Sequence, residues 1–444
     1  MATTHGRIGG DLSVYDDELI RPWYEGLPLG LSGIPLFDIH THTGSNDPDG
    51  FVCSAEDVVT SLNAANSRGM VTPMHEPDGY PPANDRVLAE SEASDGRLVA
   101  FCRLDPARDP VSEAARCFAA GARGIKLHPR AEGFGMLDPG VEEIFAFAHE
   151  QRAPILIHAG RGIPALAFQA MMLARKHEHA RVVLAHTAVT DLSWIWPELP
   201  RCPNVFIDSA WWNATDLATL LALAPPGQIL YGSDIPYFTP FLITTLVGRI
   251  GLQVGLSEDQ LHAIFGAQGE RVVAGEDPLD VGPPPGPDRL GLGILLERIY
   301  VLLTLAIGRM LIGKSGYEAL AMARLACEVP EPDSREGEVA RQVLAILTRQ
   351  EEFARSHPTD GAPLYPGIRL VMLAAGVVRT ADVPLPEIAD LASIDEVRNA
   401  SMAGHRTRED AEPERPPVPT GDLRRSSAPD VFVANPAQRD EGQS

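Results

Sequence analysis

No two of the five cysteines stand as Cys-x-x-Cys; Cys53, Cys102, Cys117, Cys202 and Cys327 are scattered and odd in number. That spacing tells against a thiolate zinc site or a disulfide framework and fits free thiols in a reducing cytoplasm. Positive charge is scarce too: 37 Lys and Arg against 60 Asp and Glu leave a net charge of −23. A nucleic-acid partner needs a basic face, so the composition excludes that class. Nor is there an uninterrupted apolar run of about 20 residues, the length a membrane span needs. The nearest candidate, Ile294 to Ile312, is broken by Glu297, Arg298 and Arg309 and reads as a buried or partner-facing helix. Met1 to Asp11 carries no apolar run, so no signal peptide is expected. No Gly-rich turn follows the first strand-like run, Leu36–His40, which disfavours an open doubly wound sheet.

What is present is a repeat. From Pro35 onward, short β-branched apolar runs alternate with helical patterns. The strand candidates are Leu36–His40, Met70–Met74, Leu98–Arg103, Gly124–His128, Pro154–His158, Val182–His186, Asn204–Asp208 and Gln228–Ser233. Helix-start signals lie between them, in Ser54-Ala-Glu-Asp57, Pro110-Val-Ser-Glu113 and Asp138-Pro-Gly-Val-Glu142. Alternating strand and helix implies parallel strands joined by right-handed crossovers, and eight repeats match a (β/α)₈ TIM barrel in number and size. The expected organisation is a barrel over residues 35–275, a Pro/Gly linker over 276–289 around Pro283-Pro-Pro285, a helical region over 290–403 and a disordered tail over 404–444. The helical candidates are Leu290–Gly313, Tyr317–Cys327, Arg335–Arg355, Ile368–Arg379 and Ile388–Met402. Their apolar faces must be covered by the barrel exterior or by a second subunit, so a homo-oligomer through this region is an open expectation.

Histidines fall at the ends of these candidate strands. His40 and His42 lie two apart, so both side chains face the same side. His158, His186 and Asp234 end or follow three later strands. The carboxyl ends of barrel strands converge on one face, so five ligand-type side chains arrive at a single mouth. Imidazoles with a carboxylate suit one divalent ion, zinc above all, with room for water.

The ordered set Phe37-Asp-Ile-His-Thr-His42, Gly124-Ile-Lys-Leu-His-Pro129, Ile155-Leu-Ile-His-Ala-Gly160, Leu184-Ala-His186 and Tyr231-Gly-Ser-Asp-Ile-Pro236 resembles the amidohydrolase superfamily. More narrowly it is similar to the branch of aminocarboxymuconate-semialdehyde decarboxylase-like metal-dependent hydrolases, over roughly Pro35 to Gly275. The resemblance implies a single metal held by His40, His42, His158 and Asp234, with His186 and Asp234 serving acid-base chemistry. One departure lies outside that set: the last barrel helix ends in Gln268-Gly-Glu-Arg-Val272 rather than an Asn-Ala-x-Arg-Leu-like run.

Other groups belong near the mouth. Lys126 shares a strand face with His128, and is expected to be buried or substrate-facing rather than carboxylated between two metals. Arg130 and Arg161 follow strand candidates and can grip a carboxylate; His75 and His128 are further substrate-contact candidates, and Trp211 and Trp212 candidate pocket walls. The leading expectation is a cytoplasmic metal-dependent hydrolase of a small, carboxylated or cyclic substrate. A non-oxidative decarboxylase of the same branch is the alternative, and a non-catalytic barrel scaffold with a partner-binding helical region comes third.

Overall fold

The computed structural model describes residues 11–160, 163, 165–357 and 364–387. Among these residues nine strands, all paired in parallel, run β1 Leu36–Asp38, β2 His42–Thr43, β3 Ser67–Pro73, β4 Leu98–Arg103, β5 Gly124–Leu127, β6 Pro154–Ile157, β7 Arg181–Leu184, β8 Val205–Asp208 and β9 Ile229–Leu230. Their order around the sheet is β1-β3-β4-β5-β6-β7-β8-β9, with β2 also on β3. The ring closes between its last and first members: Ile39 N donates to Tyr231 O at 2.9 Å, Asp234 N to His40 O at 2.7 Å and His42 N to Ile235 O at 2.9 Å. The (β/α)₈ barrel read from the repeat is therefore the fold.

Two details differ from the sequence reading. The first strand breaks at His40-Thr41, because the backbone there leaves β3 to bond the chain after β9. The histidine-bearing strands end one or two residues early, so His40, His158 and His186 sit just beyond the ladder rather than in it. The helix-start signals hold at Ser54, whose hydroxyl and Asp57 form a reciprocal cap on helix Ala55–Ala64. Asp138 precedes helix Pro139–Gln151 without capping it, its carboxylate accepting instead from Gly135 N at 3.0 Å.

A helix over Asp11–Glu25 was not foreseen. Leu19, Ile20, Trp23 and Tyr24 recur at helical spacing and are buried, packed on helices Pro240–Val254 and Ile368–Arg379. After the barrel come helices Ile294–Met310, Tyr317–Ala326, Arg335–Ser356 and Ile368–Arg379. The last is buried along nearly its whole length, between two of these helices and the barrel's Pro240–Val254. Gly376 lies so close to Leu246 that any Cβ there would collide with it. The apolar core of the barrel thus runs unbroken into the helices that follow. The proline-rich stretch lies against the barrel, with Gly286 N bonded to Ala222 O at 2.9 Å. The expected helix at 388–402, the tail from 404 and Arg161 lie outside the described residues.

Candidate metal centre

Barrel closure builds the centre. The bonds that zip residues 39–42 to 231–235 set His40 and His42 side by side, with ring centroids 5.0 Å apart, and bring Asp234 between them. Asp234 Oδ1 lies 3.2 Å from His42 Nε2 and 3.4 Å from His40 Nε2. Each of these three residues offers a ligand atom within 4.8 Å of the others, all buried, a cluster that can hold a metal ion. Asp234 adopts a left-handed backbone at φ 59°, as do His186, Thr187 and Ala188 at 58°, 55° and 49°. Strained non-glycine residues persist where the surroundings over-determine them, and here they mark the mouth.

Around the cluster stands a layer of buried acids. Asp208, at the end of β8, accepts from His40 Nδ1–H at 2.8 Å through one oxygen. Its other oxygen accepts from the His186 and Ala210 amides at 2.7 and 3.0 Å. That bond fixes the His40 tautomer and leaves Nε2 as the ligand nitrogen, the usual role of a carboxylate behind a metal-binding imidazole. Asp38 accepts from the His40 and Ser233 amides at 3.0 and 2.9 Å and clamps the two ligand-bearing segments together. Burial pushes the Asp38 carboxyl up to about 7 and raises those of Asp208 and Asp234 as well. It also holds His40 and His42 well below the ordinary histidine value. Neutral imidazoles beside a carboxylate that burial alone would leave protonated form the donor set a divalent cation stabilises, so the residues fit a metal.

His186 and His158 form a second tier. His186 donates Nδ1–H to Ala210 O at 3.0 Å, so its Nε2 faces His158 Nδ1 at 3.0 Å as acceptor. His158 stacks on His128 with centroids 3.9 Å apart. His158 therefore lies one residue removed from the three-ligand cluster, touching it through His186, whose Nδ1 is 3.8 Å from Asp234 Oδ2. Gly160 makes this packing possible, since a Cβ there would stand 2.8 Å from His158 Nε2.

Lys126 projects inward as its strand face requires, its ammonium donating to His40 Nε2 at 2.9 Å. Burial lowers its pKa to about 8, against the pull of Asp234. Its register partner on β4 is Arg103, also buried, which pairs with Glu132 at 2.7 Å and lies over the Tyr80 ring. His128 joins the mouth. His75 is half-buried, its Nδ1 without a hydrogen-bond partner among the described residues. Arg130 is exposed on the short helix Pro129–Glu132, within electrostatic reach of Asp49 rather than in the cluster. Trp211 and Trp212 are buried, and the Trp211 ring lies 6.2 Å from His186.

Asp208, Asp38 and Arg103 escaped the sequence reading. Asp208 and Arg103 close strand candidates, a signal available for both, but their partners lie on other strands and only the fold pairs them.

Chain elements outside the barrel also touch the mouth. Tyr300 donates to Asn213 Oδ1 at 3.1 Å in the loop that carries both tryptophans. Arg369 donates to Pro236 O at 3.4 Å, two residues beyond Asp234.

Residues 57–271 match the family described as amidohydrolase. No curated protein matches the sequence. Among solved structures the chain is similar to 2,6-dihydroxybenzoate decarboxylase from Rhizobium (14% identity, 54% of this chain and 98% of that one, TM-score 0.43). It is similar to a probable 2-pyrone-4,6-dicarboxylic acid hydrolase from Acinetobacter baumannii (14%, 54% and 99%, 0.40). A third is a dihydroxybenzoic acid decarboxylase from Polaromonas with bound manganese (12%, 54% and 96%, 0.43). The barrel of this chain therefore carries both the amidohydrolase family match, over residues 57–271, and the buried ligand cluster of a metal-dependent enzyme.

Proposed function

We propose that this chain is a hydrolase of a small, carboxylated or cyclic substrate, working with one divalent ion, zinc by preference. His40, His42 and Asp234 hold the ion, and His158 completes the set. The observation that carries this reading is the buried cluster of these three donors with Asp208 bonded behind His40. A bound divalent ion would supply Lewis acidity, favouring ionisation of water and polarising a substrate oxygen.

The remaining steps belong to the protein. His186 is held by Ala210 O with its Nε2 against His158 Nδ1, and burial keeps the ring neutral; it serves as the acid-base group between water and a leaving group. Asp234 orients the water. Lys126 and Arg103, two buried cations on neighbouring strands, suit a substrate carboxylate or developing oxyanion. His128 and His75 line the approach, and Arg130 and Arg161 are candidate contacts for an anionic group. All five cysteines are buried and unpaired, which supports a reducing cytoplasmic location. No described helix is long and apolar enough to cross a membrane.

The test incubates the metal-loaded protein with carboxylated lactones and amides on one arm and carboxylated phenols on the other. Ring-opened or cleaved acids without carbon dioxide support hydrolysis. Carbon dioxide release with no hydrolytic product would replace the proposal with decarboxylation.

A further inference from the structure

Large apolar side chains left in solvent are unevenly spread. Of the thirteen exposed among the described residues, eight fall between Ile294 and Val329. On helix Ile294–Met310 and its end they are Ile294, Val301, Leu305 and Ile312, with Ile294 80% exposed. Separated by seven, four and seven residues, whole turns of a helix, they make one stripe, opposite the buried stripe of Leu296, Ile299, Leu303, Ile307 and Met310. On the neighbouring helix, Tyr317–Ala326, exposed Tyr317, Met322 and Leu325 make a second stripe, with Tyr317 73% exposed. The two helices pack on each other as a hairpin. Large apolar residues left exposed in such number on one helical hairpin mark an interaction site.

Charge says what the face fits. Arg298 and Arg309 flank the apolar residues of the first helix, exposed and without an ion pair among the described residues. Glu318 and Glu328 flank those of the second in the same condition. At 1.5 Å of rise per residue the arginines stand about 16 Å apart, and Glu318 and Glu328 sit at the start and just past the end of the second helix. The first helix therefore offers two cations, and the second hairpin arm two anions, beside their exposed apolar residues.

We propose that this hairpin is the docking face for a second copy of the chain. A two-fold axis parallel to the hairpin lays each Ile294–Met310 helix antiparallel on the other copy's Tyr317–Ala326 helix. Arg298 then meets Glu328 of the partner subunit, and Arg309 meets Glu318 of the partner subunit. An isologous contact of this form repeats every interaction twice and closes at two subunits. A lipid surface fits less well, because amphipathic membrane-binding helices carry basic residues beside their apolar face, whereas here half of the flanking charge is acidic.

Sedimentation velocity over a concentration series on the full chain tests this. The wild type should dimerise. Arg298→Glu with Arg309→Glu should weaken the dimer about tenfold or more, as should Glu318→Arg with Glu328→Arg, because each places like charges across both halves of the contact. All four positions are exposed, so folding should be unaffected, as circular dichroism would verify. Mixing the two variants restores opposite charges at every contact and should restore the dimer. Val301→Asp with Leu305→Asp should leave a monomer that mixing does not rescue. A wild type that stays monomeric overturns the proposal, whether the face then binds phosphatidylcholine–phosphatidylglycerol vesicles or is covered by residues 388–444 of its own chain. Dimers of unchanged strength in both charge variants also overturn it.

Discussion

Replacing Asp208 with Asn changes one atom and should disable the centre. The carboxylate is fully buried and serves three donors: His40 Nδ1–H at 2.8 Å on one oxygen, and the His186 and Ala210 amides at 2.7 and 3.0 Å on the other. An asparagine has a single acceptor oxygen. Turned toward the two amides, it points its NH₂ at His40 Nδ1, which must then become the acceptor and move the ring proton to Nε2. That nitrogen faces Asp234 and Lys126 and would no longer be free to bind a metal. Turned the other way, it leaves two buried amides unsatisfied, at about 1–3 kcal/mol each. The ring proton shift is the lesser penalty, so the loss should appear mainly in metal affinity, about 10- to 100-fold, with a stability loss of roughly 1–2 kcal/mol. Competition between apoprotein and a chromogenic chelator measures the first, urea unfolding the second. If the Asn variant holds zinc within twofold of wild type, Asp208 does not set the His40 tautomer and the reasoning fails.

Two further outcomes follow from the same geometry. Arg369→Met removes the bond to Pro236 O and the cation beside buried Asp17, so the segment carrying Asp234 loses a brace from outside the barrel; metal affinity should fall about tenfold, with partial rescue in Arg369→Lys. An unchanged affinity, or a loss matched in Arg369→Lys, would remove Arg369 as a positioning residue. Burial lowers the pKa of His40, His42, His128, His158 and His186, so the folded metal-free chain takes up protons less readily than the unfolded one. Stability from these groups is complete above about pH 6.5, the unfolded value, and drains away as pH falls below it. NMR titration of the metal-free chain should find these imidazoles still neutral below about pH 6.5, and imidazoles that charge at the ordinary value would contradict the burial argument.

The parts of this protein that could be read from sequence are those where local pattern and tertiary position agree. Each barrel strand is a short apolar run between helical stretches, and a parallel strand buried on both faces has to look like that. His40, His42 and Asp234 were legible because strand ends in a barrel converge. His158 obeyed the same rule, and the fold sets its ring against those of His186 and His128 at the same mouth. The helix Asp11–Glu25 was hidden for a different reason. Its buried face is short, and what covers it comes partly from Ile368–Arg379, more than 300 residues later, so no local signal announces it. Asp208 lay in plain view at a strand end, and only its bond to His40, 168 residues away, gives it a role.

The central claim is that His40, His42 and Asp234 bind one divalent ion, and elemental analysis of the purified full chain beside His42→Ala addresses it most directly. His42 Nε2 lies 3.2 Å from Asp234 Oδ1, so truncating it removes a donor from the middle of the cluster. The account predicts about one equivalent of metal per wild-type chain and little in the variant, with both folded by circular dichroism. A wild type without stoichiometric metal after reconstitution, or a His42→Ala chain that retains it in full, would contradict the account.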